Sequence, residues 1–175
     1  MDLWALDEVH FHQYGSRGYL WVPPEVKDPV LLHHPTSKSV ASFGAVRLRD
    51  GRLVVRQESA QFNGQTTWAF LQALEAQSRE PDRQVVVIID NAKFHHARLH
   101  RVWREAQADH FRLDYLPPYS PDLNPIERVW KLTRKPCIHD QYFPTLASLV
   151  GAVEQQFARW ADPNEDLLRL CSIAA

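Results

Sequence analysis

The most informative segment of the chain is Gln84-Val85-Val86-Val87-Ile88-Ile89-Asp90, five β-branched apolar residues between a glutamine and an acid. A continuous apolar run of this length is typical of a strand covered on both faces, and such strands occur mainly in parallel arrangements. Parallel strands need crossover connections, which are usually helices. The segment therefore predicts an α/β domain with Asp90 at the carboxyl end of an internal strand.

The residues that follow Asp90 predict alternating helices and strands. Apolar spacing of three and four indicates a helix that carries Leu99, Val102, Trp103 and Ala106. Alternation then indicates a strand with Phe111, Leu113 and Tyr115, which stops at Pro117-Pro118. A helix begins at Asn124, has Pro125 in its first turn and carries a stripe of Ile126, Val129, Trp130 and Thr133. The last predicted helix runs from about Thr145 to Trp160 and buries Leu146, Leu149, Val150, Val153 and Phe157.

The residues that precede Gln84 predict antiparallel strands and one helix. The stretch from Leu3 to Phe11 alternates, with Leu3, Ala5, Asp7, Val9 and Phe11 on one side of a strand. Residues 39–58 form two strands joined near Asp50-Gly51, since this dipeptide suits tight hairpins. Asn63 caps a helix with Trp68, Leu71, Leu74 and Ala76 on one face, ending before Pro81. Residues 22–37, with four prolines, form an irregular connection.

Composition indicates one globular domain. The 175 residues are 45% apolar and 11% aromatic, which is unlike a disordered segment. A net charge of −1 excludes a global basic field for a polyanion, so any nucleic acid would have to bind a local surface. Two cysteines, Cys137 and Cys171, are too few for a disulfide framework, and no apolar run could span a bilayer. We therefore expect a protein of a reducing cytoplasm.

Three acids occupy positions that suit metal binding. Asp7 lies within the first strand, Asp90 ends the buried strand, and Glu127 lies in the first turn of a helix. Ligand sites in open α/β sheets favour the carboxyl ends of strands. Carboxylate oxygens suit Mg²⁺ or Mn²⁺, and two such ions can stabilise both the attacking and the leaving oxygen of a phosphoryl displacement.

Each of these acids also has a purely structural interpretation. Asp90 could be a turn residue that follows a strand. Glu127 could complete a capping box with Asn124 and bond only to backbone amides. Asp7 is followed by Glu8, and strand register decides which of the two points toward a site.

Longer motifs favour the metal-binding interpretation of the three acids together. The segments are Leu6-Asp7-Glu8, then Val87-Ile88-Ile89-Asp90-Asn91-Ala92-Lys93-Phe94-His95, and above all Leu116-Pro117-Pro118-Tyr119-Ser120-Pro121-Asp122-Leu123-Asn124-Pro125-Ile126-Glu127-Arg128-Val129-Trp130. In order and spacing they resemble the DDE transposases of the mariner-like superfamily, bacterial insertion-sequence branch. The last segment is the most specific of the three, and it also disfavours other nucleases such as junction resolvases.

The resemblance implies an RNase H-like, retroviral integrase-like α/β fold, with a mixed central sheet flanked by helices. It implies that Asp7, Asp90 and Glu127 are catalytic and bind two Mg²⁺ or Mn²⁺ ions. Similar enzymes cut DNA at transposon ends with an activated water and then use the freed 3′-hydroxyl to attack target DNA. Substrate-positioning or ligand-supporting roles follow for Glu8, Asn91, His95 and Asn124.

The resemblance also implies DNA as the partner and self-association into a homodimer or a larger synaptic assembly. Relatives normally carry an N-terminal helix-turn-helix region; only six residues precede Asp7, so we expect a single catalytic domain over residues 1–175 without that region. Candidate DNA-binding residues are Arg128, Lys131, Arg134 and Lys135, with a second basic segment at Arg98, Arg101 and Arg104. Both segments could instead be solvated helix faces. The alternative function is an inactive DNA-binding or dimerisation remnant, which the presence of all three acids disfavours.

A zinc site is disfavoured. His96 and His100 are spaced to share a helix face, but no His-Glu-x-x-His string or nearby cysteine accompanies them. We expect the remaining histidines of the N-terminal half to be ordinary surface or loop residues: His10, His12, His33 and His34.

Overall fold

A computed structural model describes residues 1–14, 22–27, 35–59 and 61–172. His33, His34 and much of the connection predicted over residues 22–37 therefore lie outside the described residues. None of the helices in the described ranges is long and apolar enough to cross a membrane. Cys137 and Cys171 are both buried free thiols.

The described strands form one five-stranded mixed sheet in the order β3-β2-β1-β4-β5. The bounds are β1 Asp2–His12, β2 Ser39–Arg47, β3 Leu53–Glu58, β4 Val85–Ile89 and β5 Phe111–Tyr115. The first three strands pair antiparallel, whereas β4 runs parallel to both β1 and β5. The apolar run of β4 is thus an internal parallel strand, as predicted.

Helices cover both faces of this sheet. They are α1 Gly64–Ser78, α2 Arg101–Gln107, α3 Ile126–Cys137, α4 Leu146–Ala158 and α5 Glu165–Cys171, with short 3₁₀ turns at Lys93–His96, Arg98–His100 and Pro121–Leu123. One apolar core joins β1 to α3, α4 and α5, and a second core joins the other face of the sheet to α1. α5 was not predicted, although Asn164 caps it with bonds to the amides of Asp166 and Leu167.

Two predicted apolar faces are wrong in part, although Leu71 and Leu74 of α1 are buried as predicted. In α1 the buried residues are Thr67, Phe70, Leu71, Leu74 and Ser78, so Trp68 is only partly buried and Ala76 is exposed. The face that packs is set by Phe70 and its neighbours one turn away, and Trp68 lies off this stripe. The predicted stripe of α2 is largely solvent-exposed, with Leu99 at 54% and Val102 at 75% exposure. Leu99 lies in a 3₁₀ turn before the helix, and the short α2 contacts the sheet mainly through Trp103 on Phe111.

The hairpin between β2 and β3 depends on Gly51. Its φ of 72° lies in the left-handed region, and a Cβ there would meet the backbone oxygen of Asn164 at 2.1 Å. Glycine is therefore required both by the turn conformation and by the close approach of the start of α5. The predicted hairpin turn is confirmed, and it also positions α5.

The register between β1 and β4 determines where the acids lie. Asp2 pairs with Val85, and the offset stays constant up to Ala5 beside Ile88. The same register continued by two residues brings Asp7 level with Asp90. Because side chains at one level of neighbouring strands share a face, both aspartates emerge toward the start of α3.

Gly44 on β2 makes room for the ring of Trp130. It pairs with Asp7 across the antiparallel ladder, and a Cβ on Gly44 would lie 2.3 Å from Cη2 of Trp130. Trp130 is 1% exposed, so the ring has no space into which to move. The absence of a side chain at residue 44 therefore lets α3 approach the sheet beside Asp7.

Gly44→Ala is expected to lower the free energy of unfolding by about 1–3 kcal/mol, the usual cost of overpacking a core. Urea denaturation followed by far-UV circular dichroism measures the change. Gly151→Ala is the matched control, because a Cβ at Gly151 of α4 would meet nothing within 4 Å. Helix propensity should make this control more stable by about 0.5–1 kcal/mol. Unchanged stability of Gly44→Ala would contradict the close packing of Trp130 on Gly44.

Candidate active site

The three predicted acids line a single pocket of about 510 Å³. Asp7 comes from β1, Asp90 follows the last residue of β4, and Glu127 lies in the first turn of α3. The other lining residues come from the turn after β4 and from the proline-rich segment before α3: Asn91, Ala92, Leu116, Pro117, Pro118, Tyr119, Ser120, Pro121 and Asn124. The fold thus gathers carboxylates from distant parts of the chain around one cavity.

Asp7 is held by the indole of Trp130. Nε1 of Trp130 donates a hydrogen bond of 3.1 Å to Oδ2 of Asp7. Burial, together with the negative charges of Glu8 and Glu127, nevertheless raises the pKa of Asp7 to about 8. The ionised carboxylate is therefore disfavoured in the protein alone, and a cation in the pocket would stabilise it.

Asp90 is fixed through one of its two oxygens. Oδ1 accepts a hydrogen bond of 3.0 Å from the amide of Ala92 and lies 3.0 Å from Nε2 of His95. The contact with His95, followed by the amide bond, outweighs desolvation and lowers the pKa of Asp90. Asp90 is consequently ionised, and neither contact uses Oδ2.

His95 is fully buried and lies outside the pocket lining. Its Nε2 is 3.0 Å from Asp90 and 3.3 Å from Oε1 of Glu8. Burial alone would lower the pKa of His95, but the two carboxylates outweigh it and raise the pKa to about 9. The raised pKa favours the imidazolium form of His95, which contacts both Asp90 and Glu8.

One group of three potential metal ligands occurs within the described ranges, with ligand atoms within 4.8 Å of one another: Glu8, Asp90 and His95. This set differs from the predicted triad. Neither Glu8 nor His95 lines the pocket that contains Asp90, and Nε2 of His95 already faces both carboxylates. The pocket with Asp7, Asp90 and Glu127, which contains acceptor oxygens and no cation, therefore fits a hard divalent ion better.

The start of α3 does not form the capping box that was the structural alternative for Glu127. Pro125 is the capping residue and no side chain caps the helix. The side chain of Asn124 points instead to the sheet, where its Nδ2 donates a bond of 2.9 Å to the oxygen of Leu6. Asn124 therefore fastens α3 to β1 one residue before Asp7, and the carboxylate of Glu127 is directed to the pocket.

The turn after Asp90 is fastened to β5 by a chain of contacts that the sequence did not reveal. His96 contacts Oδ1 of Asn91 at 2.5 Å and stacks on Tyr115 with ring centroids 4.2 Å apart. The hydroxyl of Tyr115 accepts a 2.6 Å bond from Arg104 and donates a 3.0 Å bond to the oxygen of His95. Tyr115 was predicted only as a strand residue. Its hydroxyl supports the backbone of the residue that holds Asp90.

The predicted basic residues have different surroundings. Nη1 of Arg128 donates to the oxygens of Leu170 and Ser172 at the end of α5, and the guanidinium of Arg134 lies 5.7 Å from the centroid of the Phe11 ring. Lys131 and Lys135 are exposed on α3. In the second segment Arg101 pairs with Glu105 at 3.0 Å and Arg104 bonds to Tyr115, while Arg98 is exposed. Some of these cations therefore have structural partners in the chain.

The helix face expected for His96 and His100 is absent. The two residues lie in separate 3₁₀ turns divided by Ala97, whose ψ of 135° is not helical. His96 is exposed beside Asn91, whereas His100 is buried and contacts the oxygen of Phe94. The two imidazoles therefore serve different local contacts.

Comparison with known proteins gives one family and a set of related folds. The family of DDE superfamily endonucleases matches residues 2–150. A search among curated proteins gives no match. A pre-cleavage Mos1 transpososome superposes with a TM-score of 0.71 at 20% identity, covering 97% of this chain and 51% of the Mos1 chain. The catalytic domain of Mos1 mariner transposase gives a TM-score of 0.64 at 19% identity, covering 97% of this chain and 74% of that one.

A third structure, a Mos1 mariner paired-end complex with Mn, has a TM-score of 0.69 at 19% identity, with 97% of this chain and 51% of the Mos1 chain covered. The chain thus spans about half the length of the Mos1 chains in these complexes. The mixed sheet flanked by helices is accordingly an RNase H-like, integrase-like fold, as predicted. On the match over residues 2–150, the chain belongs to the DDE superfamily of endonucleases.

Proposed function

We propose that the chain is the catalytic core of a transposase of the bacterial insertion-sequence type, a metal-dependent endonuclease that cuts phosphodiesters at transposon ends and joins 3′-hydroxyls to target DNA. One observation carries the proposal: Asp7, Asp90 and Glu127, from three separate elements, line the same pocket. Membership of the DDE endonuclease family supports the reaction class. The cellular setting that we assign to it is the nucleoid of a prokaryotic cytoplasm.

The proposed metal ligands are Asp7, Asp90 and Glu127, which would hold two Mg²⁺ or Mn²⁺ ions. Burial, followed by the charges of Glu8 and Glu127, raises the pKa of Asp7, so a cation in the pocket would stabilise its ionised form. Solved Mos1 complexes contain Mn in one case and Mg in another. Such ions, when bound, supply positive charge for an in-line phosphoryl displacement and align the nucleophile with the phosphate.

The remaining residues orient these ligands and admit the substrate. Trp130 fixes one oxygen of Asp7, and His95 with the amide of Ala92 fixes one oxygen of Asp90. Glu8, which does not line the pocket, contacts His95 and balances its charge. Asn91, exposed on the pocket wall, presents an amide for phosphate or sugar oxygens of DNA. Asn124 keeps α3 in place.

DNA is the proposed partner, bound in part by exposed cations of α3. Lys131 lies one helical turn beyond Glu127, and Lys135 follows one turn later, both exposed. Each phosphate neutralised by a lysine adds sequence-independent affinity that falls with salt. Because Mos1 forms paired-end complexes with transposon ends, we extend the proposal to a homodimer or larger synaptic assembly of this chain.

Asp90→Asn is expected to reduce the nicking of supercoiled plasmid in Mn²⁺ or Mg²⁺ by at least about 100-fold, since it removes a charge from the site where transition-state charge is stabilised. Gel electrophoresis of nicked and linear products measures the rate. Asp114→Asn is the matched control, because Asp114 is an exposed carboxylate on β5 that does not line the pocket. Equal nicking by Asp90→Asn and wild type would remove the assignment. A wild-type protein inactive in both metals would favour the inactive remnant.

Mn²⁺ is expected to raise the unfolding temperature of the wild-type chain by several degrees. A ligand at about 100 times its Kd adds about 2.7 kcal/mol, and each kcal/mol corresponds to about 2–4 °C in a domain of this size. Asp7→Asn should lose most of this shift while Asp114→Asn keeps it, as measured by scanning calorimetry.

In the absence of metal, wild type is expected to lose its advantage in unfolding temperature over Asp7→Asn. Asp7→Asn removes a buried acid that Glu8 and Glu127 repel, so the variant should unfold at the same or a higher temperature than wild type. An Mn²⁺ shift of full size in Asp7→Asn would place the bound ion elsewhere.

A further inference from the structure

Tyr119 projects into solvent at the edge of the carboxylate pocket. Its side chain is 102% exposed, the highest value among the exposed large apolar residues of the described chain. It nevertheless lines the pocket that contains Asp7, Asp90 and Glu127. No hydrogen bond, ion pair or ring contact joins its side chain to any other described residue. The ring therefore lies beside the candidate site with its faces open.

The backbone of Tyr119 is held in an unfavourable conformation. Its φ of 58° is left-handed, and in the described ranges Asp140 is the one other residue besides glycine with a positive φ. Aspartate is enriched in this region of backbone space, whereas a bulky aromatic residue there is uncommon. Packing of the ring cannot offset the cost, because the ring packs on no other described residue. Backbone strain of this kind points to a functional role for the side chain, such as binding another molecule.

The segment around Tyr119 is stiff. Pro117 and Pro118 precede it, and Pro121 opens the 3₁₀ turn that follows. Ser120 Oγ donates to the oxygen of Pro118 at 3.3 Å, and the amide of Leu123 donates to the oxygen of Ser120 at 3.1 Å. The prolines fix their own φ values, so the backbone that carries the ring is restricted before anything binds. A preorganised backbone loses little conformational entropy when the ring stacks on a ligand.

We infer that Tyr119 is a stacking platform for an unpaired nucleobase next to the phosphodiester that is cut, a role that rests on the proposed function. A base in an intact duplex has both faces covered by its neighbours, so an aromatic side chain can stack only on a base that is displaced from the helix. The pocket beside the ring is where a phosphodiester would lie. A protein segment seated on Tyr119 would cover the mouth of that pocket, which disfavours a protein partner.

The test uses a duplex with one bulged 2-aminopurine and an intact duplex of the same sequence, both with a fluorescent end label. Wild type and Tyr119→Phe should quench the 2-aminopurine and bind the bulged duplex more tightly than the intact one. Tyr119→Ala should lose the quenching and bind the bulged duplex about 5- to 150-fold more weakly, the range given by removing one base–aromatic stack. Its affinity for intact duplex should change less than twofold.

Two further variants separate stacking from folding. Leu123→Ala is the matched control, since Leu123 is 58% exposed on the same segment but does not line the pocket; it should behave as wild type. Tyr119→Gly relieves the positive φ and should melt at or above the temperature of Tyr119→Ala, yet it should lose quenching equally.

Three outcomes would overturn the inference. Tyr119→Ala could quench and bind as wild type does; it could weaken the bulged and intact duplexes equally, which indicates a general DNA contact; or it could alter self-association in light scattering without altering DNA binding, which indicates a protein interface. The binding assay does not require cleavage. A nicking-competent Asp90→Asn would therefore end the catalytic proposal without deciding the stacking inference.

Discussion

The constant register of the parallel pair β1 and β4 is the constraint on which the candidate site depends. The pairing of Ala5 with Ile88, continued by two residues, brings Asp7 level with Asp90 at the carboxyl end of β4. A slip of one residue would move Asp7 to the other face of β1 and place Glu8 in its position. The register is stabilised by burial on both faces of the sheet, because Trp4 and Leu6 enter one core while Ala5 and Val9 enter the other. The same packing that makes the domain stable therefore also positions two of its three acids.

The position of the third acid, Glu127, depends on how α3 packs against the sheet. α3 must approach β1 closely enough for Glu127 to reach the pocket, and three contacts between β1, β2 and α3 achieve this approach. Gly44 leaves the space that the Trp130 ring fills, Trp130 donates to Asp7, and Asn124 donates to the oxygen of Leu6. Gly44 pairs with Asp7 across the ladder, Trp130 bonds to Asp7 itself, and Asn124 bonds to the residue that precedes Asp7. A substitution at any of these positions thus changes the geometry of the carboxylates together with the packing of the domain.

The local sequence pattern predicts much of the fold. It does not predict the long-range contacts that hold the residues of the candidate site. The strand at Val85–Ile89, the hairpin at Gly51 and the buried stripe of α3 each follow from residues that are neighbours in sequence or one turn apart. The three acids could be singled out because they end strands or open a helix within long motifs. The contacts of Tyr115 with His95 and of Trp130 with Asp7 join residues far apart in the chain, so no periodicity reveals them. The predicted apolar stripe of α2 was wrong. The helix has seven residues, lies at the edge of the sheet and has no buried side chain. Helical spacing therefore does not determine which of its faces is covered.

The electrostatics of the site explain why its two aspartates behave differently. Asp90 has His95 and a backbone amide as partners, so its negative charge is stabilised by the protein itself. Asp7 is buried and has the neutral indole of Trp130 and two acids as neighbours, so its negative charge costs free energy unless positive charge is supplied. A phosphodiester is itself an anion and is repelled by the same carboxylates. A divalent cation satisfies both requirements at once, since it neutralises Asp7 and attracts the phosphate. The asymmetry between the two aspartates is thus the physical reason for expecting the pocket to bind metal and DNA together more tightly than DNA alone.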